Sequence, residues 1–300
     1  MNRGKSHDLG IRTLINGLSA VLIALLIFLA HYPALRWMFA AAVALIAATA
    51  IWEYDALVRK KGLSPAVTLS VVTVILYVFS VFIKTQGPYQ ILSSFWAHTP
   101  EIVLAIAFFS CFVHFAVVGL PPITHIATTF FGIVYIAVPL GLFVRVMYFF
   151  SYNGILDPFF EGSWWIIYLI AVTKSADIGG YFIGSAFGRR KLALKLSPKK
   201  TLEGALGGLI VSTLMSLWIC FLGKEYGEVF KGFSYLQSIW IGALIGIVGQ
   251  IGDLAESFLK RDAGVKDSNT LPGVGGVLDM IDSLLFTAPI VYIFLRIIYT

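Results

Sequence analysis

The sequence predicts an all-α polytopic membrane protein of about nine transmembrane helices, with the N-terminus in the cytoplasm and the C-terminus on the opposite side. Three observations carry that expectation. Hydrophobic residues make up 58% of the 300-residue chain and charged residues only 13%, against about a quarter charged in soluble domains. The mean hydropathy is +0.87. The apolar residues also gather in runs of roughly 20, the length at which a helix crosses the hydrocarbon core with its backbone groups paired internally.

The spans fall in order at residues 9–31, 34–58, 64–84, 100–119, 123–149, 164–187, 204–222, 236–259 and 276–299. No small-residue cleavage site follows the first run, so it reads as a retained span and not as a removed signal peptide. A cytoplasmic N-terminus gathers Arg3, Lys5, Arg12, Arg59, Lys60, Lys61, the basic residues of 189–200, Lys260, Arg261 and Lys266 on one face. The opposite face keeps Arg36, Lys84, Arg145, Lys224, Lys231 and Arg296. That is the positive-inside bias. The net charge of +6 is therefore topological, and no nucleic-acid partner is expected. Cys111 and Cys220 stand in separate apolar runs, which argues against a disulfide framework or a thiolate metal site.

The second span ends with Glu53 and Asp55, which read as snorkelling toward Arg59 and Lys60. Trp52, Trp164, Trp165 and Tyr148 suit anchoring at the membrane interface. Pro121 and Pro122 make a tight connection between the fourth and fifth spans. Residues 1–150 thus read as a transmembrane scaffold and a candidate homodimer interface. Residues 151–300 read as a catalytic transmembrane region with cytoplasmic loops.

The chemistry gathers in that second part. The sixth span carries Lys174, Asp177 and Tyr181 at i, i+3 and i+7, on one helix face, and ionisable groups inside a span are costly unless they meet a wet cavity or a partner. Gly180, Gly184 and Gly188 recur every four residues and permit close helix packing. In the following loop Ser197-Pro198 opens a turn, Lys199 and Lys200 follow, and Thr201 with Glu203 can cap the next helix. A helix N-terminus flanked by lysines binds anions.

The stretch 252–283, GDLAESFLKRDAGVKDSNTLPGVGGVLDMIDS, concentrates charge and glycine in an apolar background. Asp253, Glu256, Ser257 and Lys260 form one polar stripe at the end of the eighth span. Asp279 and Asp282 stand at i and i+3 at the start of the ninth. Carboxylates without histidine or cysteine companions suit a hard, oxygen-ligated cation, Mg²⁺ before zinc. With lysines and an arginine beside them, they form an apparatus for phosphoryl or nucleotidyl transfer, in which positioning and charge stabilisation do most of the catalysis.

Residues 257–282, SFLKRDAGVKDSNTLPGVGGVLDMID, resemble the signature of the phosphatidate cytidylyltransferases, the CDP-diacylglycerol synthases. The upstream segments YFIGSAFGRRKL and SPKKTLEGALGG are similar to that family as well. The resemblance implies an integral membrane enzyme that joins CTP and phosphatidic acid into CDP-diacylglycerol and pyrophosphate with Mg²⁺. Three positions depart from the family pattern: Val274 replaces a turn histidine, Met280 replaces an arginine, and the loop between Asp267 and Pro272 is one residue shorter.

On this reading Asp253, Asp279 and Asp282 bind one or two cations that hold the triphosphate, with Asp177 and Asp267 as further ligand or orienting groups. Lys199, Lys200, Lys260, Arg261 and Lys266 neutralise CTP and the lipid phosphate, and Thr201 and Ser257 complete the substrate contacts. The expected location is the cytoplasmic (inner) membrane, with the site facing the cytoplasm. Two other readings use the same residues. A CTP-dependent lipid kinase would present a hydroxyl as the attacking group. A cation-coupled transporter would use Lys174, Asp177 and Asp253 as a path, but the sequence shows no inverted repeat.

Overall fold

A computed structural model of the chain describes residues 22–86, 98–150, 158–193, 196–226, 229–230, 232–265 and 276–299. Residues 22–29 are helical and residues 30–31 form a turn, while residues 9–21 of the first expected span lie outside the described residues. Then follow Arg36–Lys60 (α1), Val67–Thr85 (α2), Thr99–Val118 (α3), Pro122–Met147 (α4), Pro158–Phe187 (α5), the strands Lys191–Ala193 (β1) and Ser197–Thr201 (β2), Leu202–Tyr226 (α6), Tyr235–Asp262 (α7) and Val277–Tyr299 (α8). Among the described residues, eight helices are long and apolar enough to cross a membrane. The helical membrane architecture is the one the sequence predicts.

Helices α1 to α4 pack together, and α5 to α8 form a second group in which α6 lies between α5 and α7. Helix α8 joins the groups by packing on α7, α4 and α1. Small residues make the closest approaches possible. A Cβ at Gly204 of α6 would lie 2.7 Å from the Gly180 carbonyl oxygen of α5. One at Gly252 of α7 would lie 2.7 Å from the Asp282 carbonyl oxygen of α8. The second approach sets Asp253 beside the acidic start of α8.

Long-range contacts divide the helix ends into two faces. On one face Lys61 pairs with Asp262 at 2.8 Å, and Arg261 Nε donates to the Leu196 carbonyl at 3.2 Å. The end of α1, the β1–β2 hairpin and the end of α7 therefore share a face, and the Lys260–Asp279 pair adds the start of α8 to it. On the other, Arg36 donates to Gln86 at 3.2 Å, and the Phe230 N–H donates to Glu161 at 2.7 Å.

Two of the expected interface aromatics are core residues instead. Trp165 is fully buried, edge-on to Phe230 at 4.8 Å and Tyr168 at 5.3 Å. Tyr148 is also buried, packed edge-on to Phe82 at 5.4 Å. The apolar bodies of these rings find a dense aromatic cluster, which removes more surface than an interfacial position would. Trp52 is exposed, as anchoring requires. Glu53 does not snorkel: it is 1% exposed and directed toward α8.

Candidate active site

The loop after α5 is an antiparallel hairpin with Lys191 opposite Thr201 and Ala193 opposite Ser197, where the sequence suggested only a turn at Ser197-Pro198. Successive strand side chains point to opposite faces, and this separates the two lysines of β2. Lys200 is partly buried and pairs with Asp253 of α7 at 2.6 Å, whereas Lys199 is exposed. Thr201 is buried and its hydroxyl accepts the Gly204 N–H at 3.1 Å, capping α6 as its sequence position predicts. Glu203 accepts the N–H groups of Arg189 and Arg190 at 3.0 and 3.1 Å. The hairpin is thus tied at its base to the helix that follows.

Asp253 is one of three carboxylates that converge from three helices. Asp177 on α5 and Asp253 both lie within electrostatic reach of Asp282 on α8. The Ser283 hydroxyl joins two of them, 3.1 Å from Asp282 Oδ1 and 3.5 Å from Asp177 Oδ2. The Ser283 N–H also donates to Asp282 Oδ1, which fixes that rotamer. Lys174 pairs with Asp177 at 3.4 Å. This first cluster sets three carboxylates against two ammonium groups.

The second cluster centres on Lys260 of α7. Its ammonium lies 3.1 Å from Asp279 Oδ1 and forms an ion pair with Glu256 one turn earlier. Glu256 is 1% exposed, and carboxylates at such burial need a charged partner. The expected ion-binding set is therefore divided: Asp253 and Asp282 meet near Asp177, while Asp279 is held by Lys260. Glu256 belongs to the site as fully as the residues singled out from the sequence, and its i, i+4 spacing to Lys260 was the signal for it.

Tyr135 of α4 had no such signal, since it sits within an apolar run. Its buried hydroxyl makes no hydrogen bond among the described residues and lies within electrostatic reach of both Asp282 and Glu256. It stands between the two clusters. Arg261 braces the hairpin through Leu196 and also donates to the Val265 carbonyl at 3.3 Å. Ser257 is partly buried on α7, and Met280 is exposed on α8. Lys266, Asp267 and Val274 lie outside the described residues.

The donor set suits a hard cation. Carboxylate oxygens are its acidic ligands, and the first cluster carries an excess of negative charge when ionised. Among the described residues no three His, Cys, Asp or Glu groups form a cage for an ion. Mg²⁺ does not ask for one: it is commonly held by one or two carboxylates, with waters and substrate phosphates completing the octahedron.

A sequence profile of the cytidylyltransferase family matches residues 11–298. The chain is 34% identical to the phosphatidate cytidylyltransferase of Chlamydia pneumoniae over 297 residues, covering 98% of this chain and 94% of that protein. It is 34% identical to the phosphatidate cytidylyltransferase of Synechocystis over 282 residues, covering 86% and 88% of the two chains. It is also 43% identical to the Chlamydia muridarum phosphatidate cytidylyltransferase over 183 residues, or 59% of this chain and 57% of that one.

Proposed function

The chain belongs to the cytidylyltransferase family, and from that premise we infer that it transfers CMP from CTP to phosphatidic acid, releasing pyrophosphate and leaving CDP-diacylglycerol in the membrane. The observation that carries the reaction is the near full-length match to phosphatidate cytidylyltransferases. The geometry supports it by bringing two lysines and paired carboxylates to one end of the helix bundle.

In the reaction a phosphate oxygen of phosphatidic acid attacks the α-phosphorus of CTP in line. The new P–O bond forms as the bond from the α-phosphorus to the β-bridging oxygen breaks, and the electron pair leaves with pyrophosphate. The attacking phosphate is already anionic near neutral pH, so no dedicated general base is needed. Lys200 and Lys260 neutralise the phosphates, each held ready by a carboxylate until substrate arrives. Asp253 and Asp282 are the residues that would hold Mg²⁺, with Asp177 and Asp279 as neighbouring carboxylates. When bound, the cation would draw charge from the phosphate oxygens and help the pyrophosphate leave. Ser283 and the close approach at Gly252 keep these carboxylates from drifting apart, and such positioning is a large part of the rate in phosphoryl chemistry.

The site faces the cytoplasm of a bacterial-type inner membrane on this reading. Arg59, Lys60, Lys61, Arg189, Arg190 and Lys191 share its face, in keeping with the positive-inside bias, and CTP is a cytoplasmic substrate. The test is detergent-solubilised protein with CTP, phosphatidic acid and Mg²⁺, assayed for pyrophosphate and liponucleotide. Release of CDP in place of pyrophosphate would overturn the reading in favour of lipid phosphorylation.

A further inference from the structure

Helix α8 starts immediately after a glycine. Gly276 precedes Val277, and a glycine has no side chain to accept the N–H groups that the first turn of a helix leaves unpaired. The acceptor comes instead from the other half of the chain. Glu53 of α1 receives the Val277 N–H on one carboxylate oxygen at 2.9 Å and the Leu278 N–H on the other at 2.8 Å. Glu53 is 1% exposed, so the accepting carboxylate is shielded from bulk water. The contact spans 225 residues of sequence. One residue further along stands Asp279, close enough for its charge to act on Glu53, and one turn beyond is Asp282.

We propose that Glu53 is a positioning residue for the transfer reaction: by capping α8 from α1 it fixes the axial and rotational setting of the turn that carries Asp279 and Asp282. The N-terminal helices thereby take part in the site without touching substrate. The physical reason is the preceding sequence. Gly276 brings no side chain to hold the start of α8, and two hydrogen bonds to one planar carboxylate of α1 hold it there. Loss of the cap would let the first turn of α8 unwind, moving Asp279 away from Lys260. The proposal rests on the reading of these aspartates as working groups of the cytidylyl transfer.

The test uses the full chain in detergent, with Glu53→Ala and Glu53→Gln compared at equal amounts of folded, monodisperse protein. Amide exchange over residues 276–283 is expected to quicken in Glu53→Ala, while the later turns of α8 stay protected. The kcat/KM for CTP per folded enzyme is expected to fall at least tenfold in Glu53→Ala, with part of the loss restored in Glu53→Gln, which keeps one acceptor oxygen. Val277→Pro provides a second route, because it deletes one donor at a first-turn position that tolerates proline. Its defect combined with Glu53→Gln should be no worse than about twice the larger single defect, since both break one contact.

A lowered melting temperature with wild-type kcat/KM per folded enzyme would reduce Glu53 to a stabilising cap and overturn the proposal. So would unchanged exchange at residues 276–283, or fully multiplicative losses in the double variant. Failure of the functional reading looks different: the wild-type protein itself would release no pyrophosphate, whatever the exchange data show.

Discussion

Lys200 and Asp253 meet at 2.6 Å across the gap between the β1–β2 hairpin and α7. The pair ties a loop that can reach solvent to a helix inside the bundle, and it puts one ammonium at the carboxylates that converge near Asp282. A lysine so placed has two anions to serve, the aspartate in the free enzyme and phosphate oxygens in the complex.

Lys200→Ala is therefore expected to lower kcat/KM for CTP about 100-fold, or roughly 2.7 kcal/mol of transition-state stabilisation. Lys199→Ala, one residue away on the exposed face of β2, should stay within about threefold of wild type because exposed charges are screened. Steady-state pyrophosphate release measures both. Equal losses would remove the distinction drawn from the strand geometry.

Asp253→Asn and Asp282→Asn are each expected to reduce synthesis by about 1,000-fold while leaving the protein folded. Both are near-isosteric and keep a polar atom, so monodispersity and melting temperature should change little. Asp279→Ala should also abolish synthesis. Retained activity in any of the three, assayed by liponucleotide formation, would remove that residue from the working set.

Chelation with excess EDTA should abolish synthesis, and added Mg²⁺ should restore it. Asp282→Asn should raise the Mg²⁺ concentration needed for half-maximal activity of its residual rate, because a carboxylate ligand has been replaced by a neutral one. A titration of residual rate against Mg²⁺ reads this directly. An unchanged midpoint would place the cation elsewhere.

Lys260 neutralises two carboxylates, Glu256 and Asp279, so its loss should be worse than the loss of either partner. Breaking a buried pair typically costs about 3–5 kcal/mol. Lys260→Met is expected at that level, since Glu256 is left buried and unneutralised. Glu256→Gln should cost only about 1–2 kcal/mol, because Asp279 still balances the ammonium. Thermal melting in detergent orders the two; the reverse order would refute this account of the cluster.

Gly252→Ala should displace α7 from α8, since its Cβ would lie 2.7 Å from the Asp282 carbonyl oxygen. Overpacking of this kind costs about 1–3 kcal/mol. Because the contact lies between Asp253 and Asp282, activity per folded enzyme should fall along with the melting temperature. A variant with wild-type activity and stability would show that the helices separate there at no cost.

What the sequence determined by itself is whatever depends on local composition. Span length and hydropathy fixed the membrane architecture because crossing lipid is a property of each segment of about 20 residues. The i, i+3 and i+4 spacings of Asp253, Glu256, Lys260, Asp279 and Asp282 were legible for the same reason: one helix turn sets them. The cap at Thr201 was legible because a hydroxyl three residues before an amide needs no distant partner. The tertiary structure alone decided which charges meet. Lys200 chose Asp253, and Lys199 met none of the site's carboxylates among the described residues, through the alternation of a hairpin that no local periodicity announced. Asp279 joined Lys260 while Asp282 joined Asp177, although the two aspartates lie one turn apart. Tyr135 entered between the clusters from an apolar run, and Glu53 left its expected place at the membrane surface to cap a helix at the far end of the chain. In each case the partner lies on another element, and only the packing of those elements against one another brings the two within reach.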